Sequence, residues 1–203
     1  MQGSKLWQLT SVFCLSSILL CGCATSPAAR QTADDTNNIY GNLPLYHGGA
    51  PFSSNYNESK YSLMVPPKVS YGHEKVIIIN PKIYAWGAYD EEGQLVRAGI
   101  ANAGADYCKD EGHACRTSTG TFRVYSLGDV GCISRTYPIP AGGSLMPYCM
   151  FFHNGQSLHG TPDKMLVEAN ISHGCIHMRI PDAEWLRYNF VEVGTKVVVL
   201  PYQ

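Results

Sequence analysis

A cysteine lies between two histidines near the end of the chain, in residues 171–178 (ISHGCIHM). A thiol is a weak nucleophile until it loses its proton, so a reactive Cys175 needs a base or a cation beside it. His173 is close in sequence, but side chains two residues apart on a strand run roughly parallel. Their Cα atoms lie about 6.5–7 Å apart, which aligns an S–H···N contact poorly. We therefore expect the base to come from another strand.

His159, in the segment 158–161 (LHGT), is the histidine that can reach the sulfur in this way. If its strand packs beside the Cys175 segment, the imidazole faces the thiol and can accept its proton. Gly174 lets the chain turn sharply, which brings backbone N–H groups, including that of Cys175, toward the carbonyl under attack. The pattern predicts His159 as the base, the Gly174 backbone as part of the oxyanion site, and His173 on the oxyanion and substrate side.

Two other interpretations of Cys175 stay open. Cysteine and histidine also bind zinc, and His153, His159, His173 and His177 could form a metal site with Cys175. On a regular strand the residues at 173, 175 and 177 share one face, so this geometry is allowed. A buried structural cysteine is the second alternative, and it explains neither the glycine nor the histidines. We expect no metal and no other cofactor.

The N-terminus has the pattern of a bacterial export leader. Its apolar stretch, residues 12–20, is shorter than the roughly 20 residues that a spanning helix needs. The following LCGC (20–23) resembles the lipobox of bacterial lipoproteins, which implies removal of residues 1–22 and acylation of Cys23. A plain secretory leader, with Cys23 incidental, is the alternative. Residues 23–60 are predicted to tether a domain of residues 61–203 to the membrane.

The cysteine count supports an exported domain with one free thiol. Of the eight cysteines, three lie in or beside the leader and five remain. Disulfides persist outside the cytoplasm, and an odd number leaves one cysteine over. The most local pairing, Cys108–Cys115 and Cys132–Cys149, closes two loops and leaves Cys175 free. A zinc site of Cys108, His113 and Cys115 is the rival interpretation of the first pair, although its spacing departs from common zinc motifs.

The elements that must position these residues are mostly short strands. One segment, residues 181–190, is predicted to be helical because it has an early proline and an apolar stripe. The fold class is therefore mostly β, a sandwich or barrel with a short helix near the C-terminus. The predicted strands cover residues 76–79, 83–89, 94–100, 122–125, 148–153, 156–159 and 195–200.

Asn154-Gly155 is a strong two-residue hairpin signal between two of these strands. Simple alternation from that turn pairs Phe151 with Leu158 and Met150 with His159. Phe151 and Leu158 should then be core. Three residues are predicted to share the face of His159 and to border a substrate groove: Tyr148, Met150 and Phe152.

The two histidine segments resemble the catalytic motif of the L,D-transpeptidase (YkuD-type) domain, in which a His precedes Ser/Thr-His-Gly-Cys. Residues 117–122 (TSTGTF) are similar to that family's Thr-Pro-x-Gly-x-Phe segment, and residues 154–160 (NGQSLHG) to the strand carrying its histidine. The resemblance covers most of the chain after residue 75. His177 departs from the family, which usually has Arg or Asn at that position.

The resemblance implies a peptidoglycan-modifying enzyme of cell-wall biosynthesis. Cys175 would attack the third residue of a tetrapeptide stem, and an amine on a second stem or a protein would resolve the thioester. The backbone carbonyl of Gly160 would orient His159. With water as acceptor the reaction becomes that of an L,D-carboxypeptidase. A non-catalytic peptidoglycan-binding lipoprotein is the alternative from another class.

The expected partners are peptidoglycan stem peptides and, through the acylated Cys23, a membrane. We expect the protein to be lipid-anchored in the cell envelope, on the outer membrane facing the periplasm. The net charge of −1 gives no basic surface for nucleic acid. Besides the three hairpin residues, the residues expected to contact substrate are Ser172, His177 and Arg179.

Overall fold

The computed structural model describes residues 58–138 and 140–203. These residues form two β-sheets with a short helix near the C-terminus, which confirms the predicted fold class. The strands are β1 Val76–Asn80, β2 Ala85–Tyr89, β3 Leu95–Ile100, β4 Gly120–Arg123, β5 Ser126–Leu127, β6 Met150–His153, β7 Gln156–Thr161, β8 Ile176–Arg179 and β9 Lys196–Val199. The helices are α1 Glu58–Met64 and α2 Ile180–Trp185, with a 3₁₀ turn at Asp163–Met165 and a π-helical turn at Leu186–Phe190.

The first sheet, here called the frame sheet, has the strand order β3-β2-β1-β9-β4. Its central strand β1 is antiparallel to β2 and parallel to β9. Ile77 and Ile79 pack into the main core, whereas Val76 and Ile78 pack on the opposite face with Tyr89. Burial on both faces explains why β1 is a continuous apolar run rather than an alternating one.

The second sheet, the site sheet, has the order β5-β6-β7-β8. Strands β7 and β8 run parallel, which places His159 beside His177 and Gly160 beside Met178. The main core contains frame-sheet residues together with site-sheet residues such as Leu158, so the two sheets share one hydrophobic interior. The histidine of β7 is thereby held against the strand that follows Cys175.

The pairing of β6 with β7 differs from the prediction. The turn at residues 154–155 is present, but Phe151 pairs with Ser157 and Met150 with Leu158. A register shift between Phe151 and the last residue of β6 moves the pairing by one position. Because side chains alternate along a strand, a shift of one residue reverses which face each of them occupies.

This shift overturns the substrate contacts predicted for β6. Tyr148, Met150 and Phe152 are buried in the main core, so they do not border a groove. Phe151, predicted to be core, instead lines a cavity beside Cys175. The aromatic side chain that β6 offers to a substrate is therefore Phe151.

The predicted C-terminal helix is present, as α2 followed by the π-helical turn. Pro181 lies in its first turn, and Ala183, Leu186 and Phe190 are buried in the main core as the apolar stripe predicts. Asp182 of this helix pairs with Arg97 of β3 at 2.7 Å. The helix is therefore fixed to both the core and the frame sheet.

Helix α1 was not predicted. Tyr61 and Val65 pack with three frame-sheet residues, Ala85, Ala98 and Ile100. The folded part thus includes residues 58–60, which the sequence pattern assigned to the tether. The leader and Cys23 lie outside the described residues. Within the described ranges, no helix has the length and hydrophobicity to cross a membrane.

Both cysteine pairs are bonded as the sequence predicts. The Cα atoms of Cys108 and Cys115 are 6.0 Å apart, and those of Cys132 and Cys149 are 6.2 Å apart. These separations are ordinary for disulfides. Cys175 is the free cysteine of the described residues. The Cys108–Cys115 disulfide also excludes the predicted zinc site of Cys108, His113 and Cys115, because a disulfide sulfur is not a thiolate ligand.

Candidate active site

Cys175 follows a tight turn that begins at Ser172. Gly174 has φ of +114°, a conformation that residues with a Cβ rarely adopt. Its N–H donates to Ser172 Oγ (3.1 Å), and the Ser172 hydroxyl in turn donates to the carbonyl of Cys175. Thr117 Oγ1 donates to the Gly174 carbonyl (2.9 Å). The backbone that presents the thiol is therefore braced from within the turn and from the segment 117–122.

These bonds correct two predicted roles. The Gly174 N–H is donated to Ser172, so it is not directed at an oxyanion as predicted. Ser172 is only 1% exposed and shapes the turn, so it does not contact a substrate. The predicted role of oxyanion donor therefore remains with one backbone group of this turn, the N–H of Cys175.

The thiol of Cys175 is surrounded by groups that favour its ionised form. The His159 imidazole lines the same cavity as this thiol, and the sulfur lies 3.6 Å from Ser157 Oγ. Burial opposes ionisation, but the hydrogen bond and charge of His159, together with the bonds from Ser157, outweigh it and lower the pKa of Cys175. A thiol in this setting supplies thiolate more readily than a free cysteine does.

His159 is oriented by its own neighbour in the chain. Its Nδ1–H donates to the carbonyl of Gly160 (2.9 Å), which leaves Nε2 as the acceptor available to the thiol. A Cβ on Gly160 would lie 2.9 Å from the Cα of Ile180 and 3.1 Å from Pro147 Cγ. The glycine therefore permits the close packing of β7 on α2 that fixes the carbonyl in place.

His177 lies beside His159, with ring centroids 4.9 Å apart in an edge-to-face arrangement. Burial lowers the pKa of His177 to about 3, and the nearby His159 and His173 add to the effect. His177 is therefore a neutral ring across the physiological pH range. It contacts the ring of the predicted base from the position where the family usually has Arg or Asn.

His173 is hydrogen-bonded to a carboxylate. Its Nε2–H donates to Asp110 Oδ2 (2.8 Å), and its ring lies 4.7 Å from the ring of Tyr137. The arrangement of one histidine on the sulfur and the other on a carboxylate agrees with the choice of His159 as base. That assignment stays a prediction until both histidines are substituted.

Two cavities meet at Cys175. The larger, of about 660 Å³, extends past Phe151 and Gln156. The smaller, of about 300 Å³, contains His159 and His177. Five residues line both cavities: Ser134, Tyr137, Met146, His173 and Cys175. An acyl group on the sulfur would be accessible from two directions, as a reaction with a donor and an acceptor requires.

Arg179 does not belong to this site, contrary to the prediction. Its side chain is 5% exposed, and its Nε lies 3.7 Å from a carboxylate oxygen of Asp163. It lines neither of the two cavities that meet at Cys175. Strand alternation would place Arg179 on the same face as His177, which lines the smaller cavity. Arg179 does not follow this alternation, because α2 begins at the next residue.

Sequence reasoning missed Ser157, Asp110 and Tyr137. Ser157 could have been found, because it stands two residues before His159 and strand alternation places both on one face. Asp110 and Tyr137 lie in loops, whose paths are set by the disulfides and by packing rather than by local pattern.

Potential metal ligands converge at one place in the described ranges. Cys108, Asp110 and His173 bring three ligand atoms within 4.8 Å of one another. Because the sulfur of Cys108 is bonded to Cys115, it carries no thiolate for an ion. Of the four histidines predicted to join Cys175 in a zinc site, His173 alone belongs to this group, and Cys175 does not.

Comparison with known proteins gives a consistent result. A family model described as the L,D-transpeptidase catalytic domain (YkuD) matches residues 74–199. No curated protein of matching sequence was found.

Several solved structures have a similar fold. An L,D-transpeptidase from Xylanimonas cellulosilytica (residues 123–326) is 22% identical, with a TM-score of 0.56 over 68% of this chain and 66% of that one. An L,D-transpeptidase from Mycobacterium smegmatis is 26% identical, with a TM-score of 0.51 over 63% and 59%. L,D-transpeptidase 3 from Mycobacterium tuberculosis, in complex with a faropenem-derived adduct, is 22% identical, with a TM-score of 0.51 over 63% and 60%. The present chain thus spans less than two thirds of the length of each of these chains.

Proposed function

Because the chain belongs to the L,D-transpeptidase catalytic domain (YkuD) family, we propose that it is a cysteine-dependent peptidoglycan L,D-transpeptidase. The donor is a tetrapeptide stem, and the acceptor is an amine. The observation that carries the proposal is the line of contacts from the Cys175 thiol to His159 and on to the carbonyl of Gly160. This is the arrangement of nucleophile, base and orienting group that acyl transfer requires.

In the first step, His159 Nε2 takes the proton of Cys175, and the thiolate attacks the carbonyl carbon of the third stem residue. The Cys175 N–H stabilises the resulting oxyanion, because it is the donor of the turn at the attacking sulfur. A carbon–sulfur bond forms and the peptide bond to the terminal D-Ala breaks. The protonated His159 then gives its proton to the departing amine.

In the second step, an amine attacks the thioester, with His159 accepting its proton. The amine nitrogen bonds to the acyl carbon, and the thiolate of Cys175 leaves. The amine belongs to a second stem or to an anchored protein; with water as acceptor, the same site is an L,D-carboxypeptidase. The two cavities that meet at Cys175 favour an acceptor larger than water, since each has room for part of a peptide.

The test is mass spectrometry of the purified domain incubated with tetrapeptide stems. We expect a tripeptidyl adduct on Cys175, release of D-Ala and formation of cross-linked product. Cys175→Ser is the control and should form no thioester. Binding of stems without an adduct or product would instead support the non-catalytic binder.

The cellular location forms part of the proposal. We infer acylation at Cys23 and anchoring to the outer membrane facing the periplasm, from the lipobox-like LCGC at residues 20–23. Cell fractionation tests it: the native chain should partition with outer membrane, and Cys23→Ala should be released to the soluble periplasmic fraction. A Cys23→Ala protein that still partitions with membrane would contradict lipid anchoring at this residue.

A further inference from the structure

The loop of residues 108–115 is closed at its base and reaches the active site at its tip. The disulfide Cys108–Cys115 joins its ends, and the Cys108 N–H donates to the His113 carbonyl (2.9 Å). The Gly112 N–H also donates to the Cys108 carbonyl (2.9 Å). Such cross-bonds restrict the loop, so the two acidic residues at its tip, Asp110 and Glu111, have defined positions.

Asp110 holds His173. Its Oδ2 accepts the hydrogen bond of His173 Nε2–H at 2.8 Å, and this bond lowers the pKa of Asp110. Asp110 lines the smaller cavity, with His173 and Cys175. The carboxylate therefore fixes the orientation of a ring that stands at the thiol.

Glu111 is held within the loop itself. Its side chain is 8% exposed and lies 2.8 Å from His113 Nε2. Burial raises the pKa of Tyr137 to about 12, and the hydrogen bond to Glu111 and that carboxylate's charge add to the effect. The loop thus bonds one carboxylate to His173, whose ring is tilted against that of Tyr137, and places a second carboxylate in the surroundings of Tyr137.

Tyr137 and His173 stand where the two cavities meet. Their ring centroids are 4.7 Å apart, and both residues line both cavities. We call this pair the junction. It comes from two separate loops, so its closure depends on contacts between side chains rather than on a shared strand.

We propose that the 108–115 loop holds the junction closed around the thioester through Asp110, which positions His173 and so favours an amine acceptor over water. The inference rests on the proposed function. Either acceptor attacks the acyl carbon, breaks its bond to sulfur and passes a proton to His159; the new bond is carbon–nitrogen with an amine and carbon–oxygen with water. A closed junction excludes water and so protects the thioester from hydrolysis, while an acceptor bound in a cavity reaches it.

The experiment compares products formed by the purified domain from a tetrapeptide donor and an amine acceptor. In Asp110→Ala, the ratio of hydrolysed tripeptide to cross-linked product should rise about threefold, as expected for loss of one exposed charged contact. The rate of Cys175 acylation by a carbapenem should change far less than this ratio, because the thiol and His159 are untouched. Asp110→Asn keeps an acceptor for the His173 N–H and should restore most of the ratio. Asp106→Ala is the matched control, since Asp106 pairs with Arg116 and lines neither cavity.

Tyr137→Ala is a second variant, and it removes one of the two rings of the junction. It should shift the ratio in the same direction. An unchanged ratio in both variants, or a carbapenem acylation rate that falls in parallel with cross-linking, would overturn the positioning role. Failure of the unsubstituted domain to acylate at all would overturn the proposed function itself, which is a distinct result.

Discussion

The frame sheet and the site sheet share one core but are built differently. The frame sheet is regular at its centre, where β1 and β9 pair in register and bury apolar side chains on both faces. Each sheet has one register shift, in the β2–β3 pair and in the β6–β7 pair, but in the site sheet β7 also buries the polar residues Ser157, His159 and Thr161. Buried polar groups need fixed partners, and in β7 those partners include the thiol and a backbone carbonyl. The sheet with the less ideal pattern is therefore the one that holds the chemistry.

The two sheets are joined next to the base. Just after β3, the Asn102 N–H donates to the His177 carbonyl (3.0 Å), and the His177 N–H donates to the Asn102 carbonyl (2.9 Å). Asn102 is itself fully buried and donates to the carbonyl of Ala169 (2.9 Å). The frame sheet thus braces the strand beside His159. The comparison predicts that substitutions in the site sheet reduce activity, whereas substitutions in the frame sheet reduce stability.

The largest effect is expected in the site sheet, at His159. His159→Ala removes the base and the hydrogen bond that favours the thiolate, so acylation of Cys175 by a carbapenem should slow by about 100- to 10,000-fold. His173→Ala should slow it far less, because that ring contacts Asp110 rather than the sulfur. Intact-protein mass spectrometry over time measures both rates. The reverse order of effects would make His173 the base.

The next effect is expected in the frame sheet, at Ile77. This side chain is fully buried in the core, so Ile77→Ala should lower the free energy of unfolding by about 2–5 kcal/mol. Urea unfolding measures the loss, with Val96→Ala, 47% exposed on β3, as control. The acylation rate at 20 °C should be retained in the molecules that stay folded. A variant of normal stability but low acylation rate would break the division between the sheets.

The same contrast explains what the sequence could predict. The frame strands were placed within two residues because apolar runs such as VIII and KVVV are unambiguous. The Cys175, His159 and Gly160 contacts follow from a motif whose spacing is local. The predicted orientation of the β6 side chains was wrong, because one bulge reverses which face each of them occupies. No feature of the sequence MFFH indicates this bulge.

Other parts depend on distant packing. Helix α1 is short, and it is stabilised by Tyr61 and Val65 packing on the frame sheet rather than by its own pattern. Arg179 stands in the strand that follows the motif, yet it is buried next to Asp163. Asp110 reaches His173 across 63 positions of sequence, through a loop whose path local propensity does not encode.

A smaller effect is expected at Ser157, beneath the thiol. Ser157→Ala removes the side-chain hydrogen bond that helps to lower the pKa of Cys175, so that pKa should rise. The pH dependence of alkylation by iodoacetamide reports the midpoint. Ser126→Ala is the control, because Ser126 lies on β5 and lines neither cavity at Cys175. An unchanged midpoint would show that His159 alone sets the thiolate.

The smallest effect is expected at the edge of the frame sheet, where Glu74 bonds Arg123 of β4 and Lys196 of β9. Hydrogen bonds from Arg123 and Lys196 lower the pKa of Glu74 from 4.5 to about 2. The stabilisation is present in full above pH 4.5, where the carboxyl is ionised in both folded and unfolded chains, and is lost as the pH falls through about 2. Glu74→Gln should therefore lower the melting temperature slightly at pH 7, and the difference should vanish near pH 2 and shrink at high salt. Acylation of Cys175 at pH 7 should be unchanged, and a loss of acylation there would show that the frame edge and the active site are coupled.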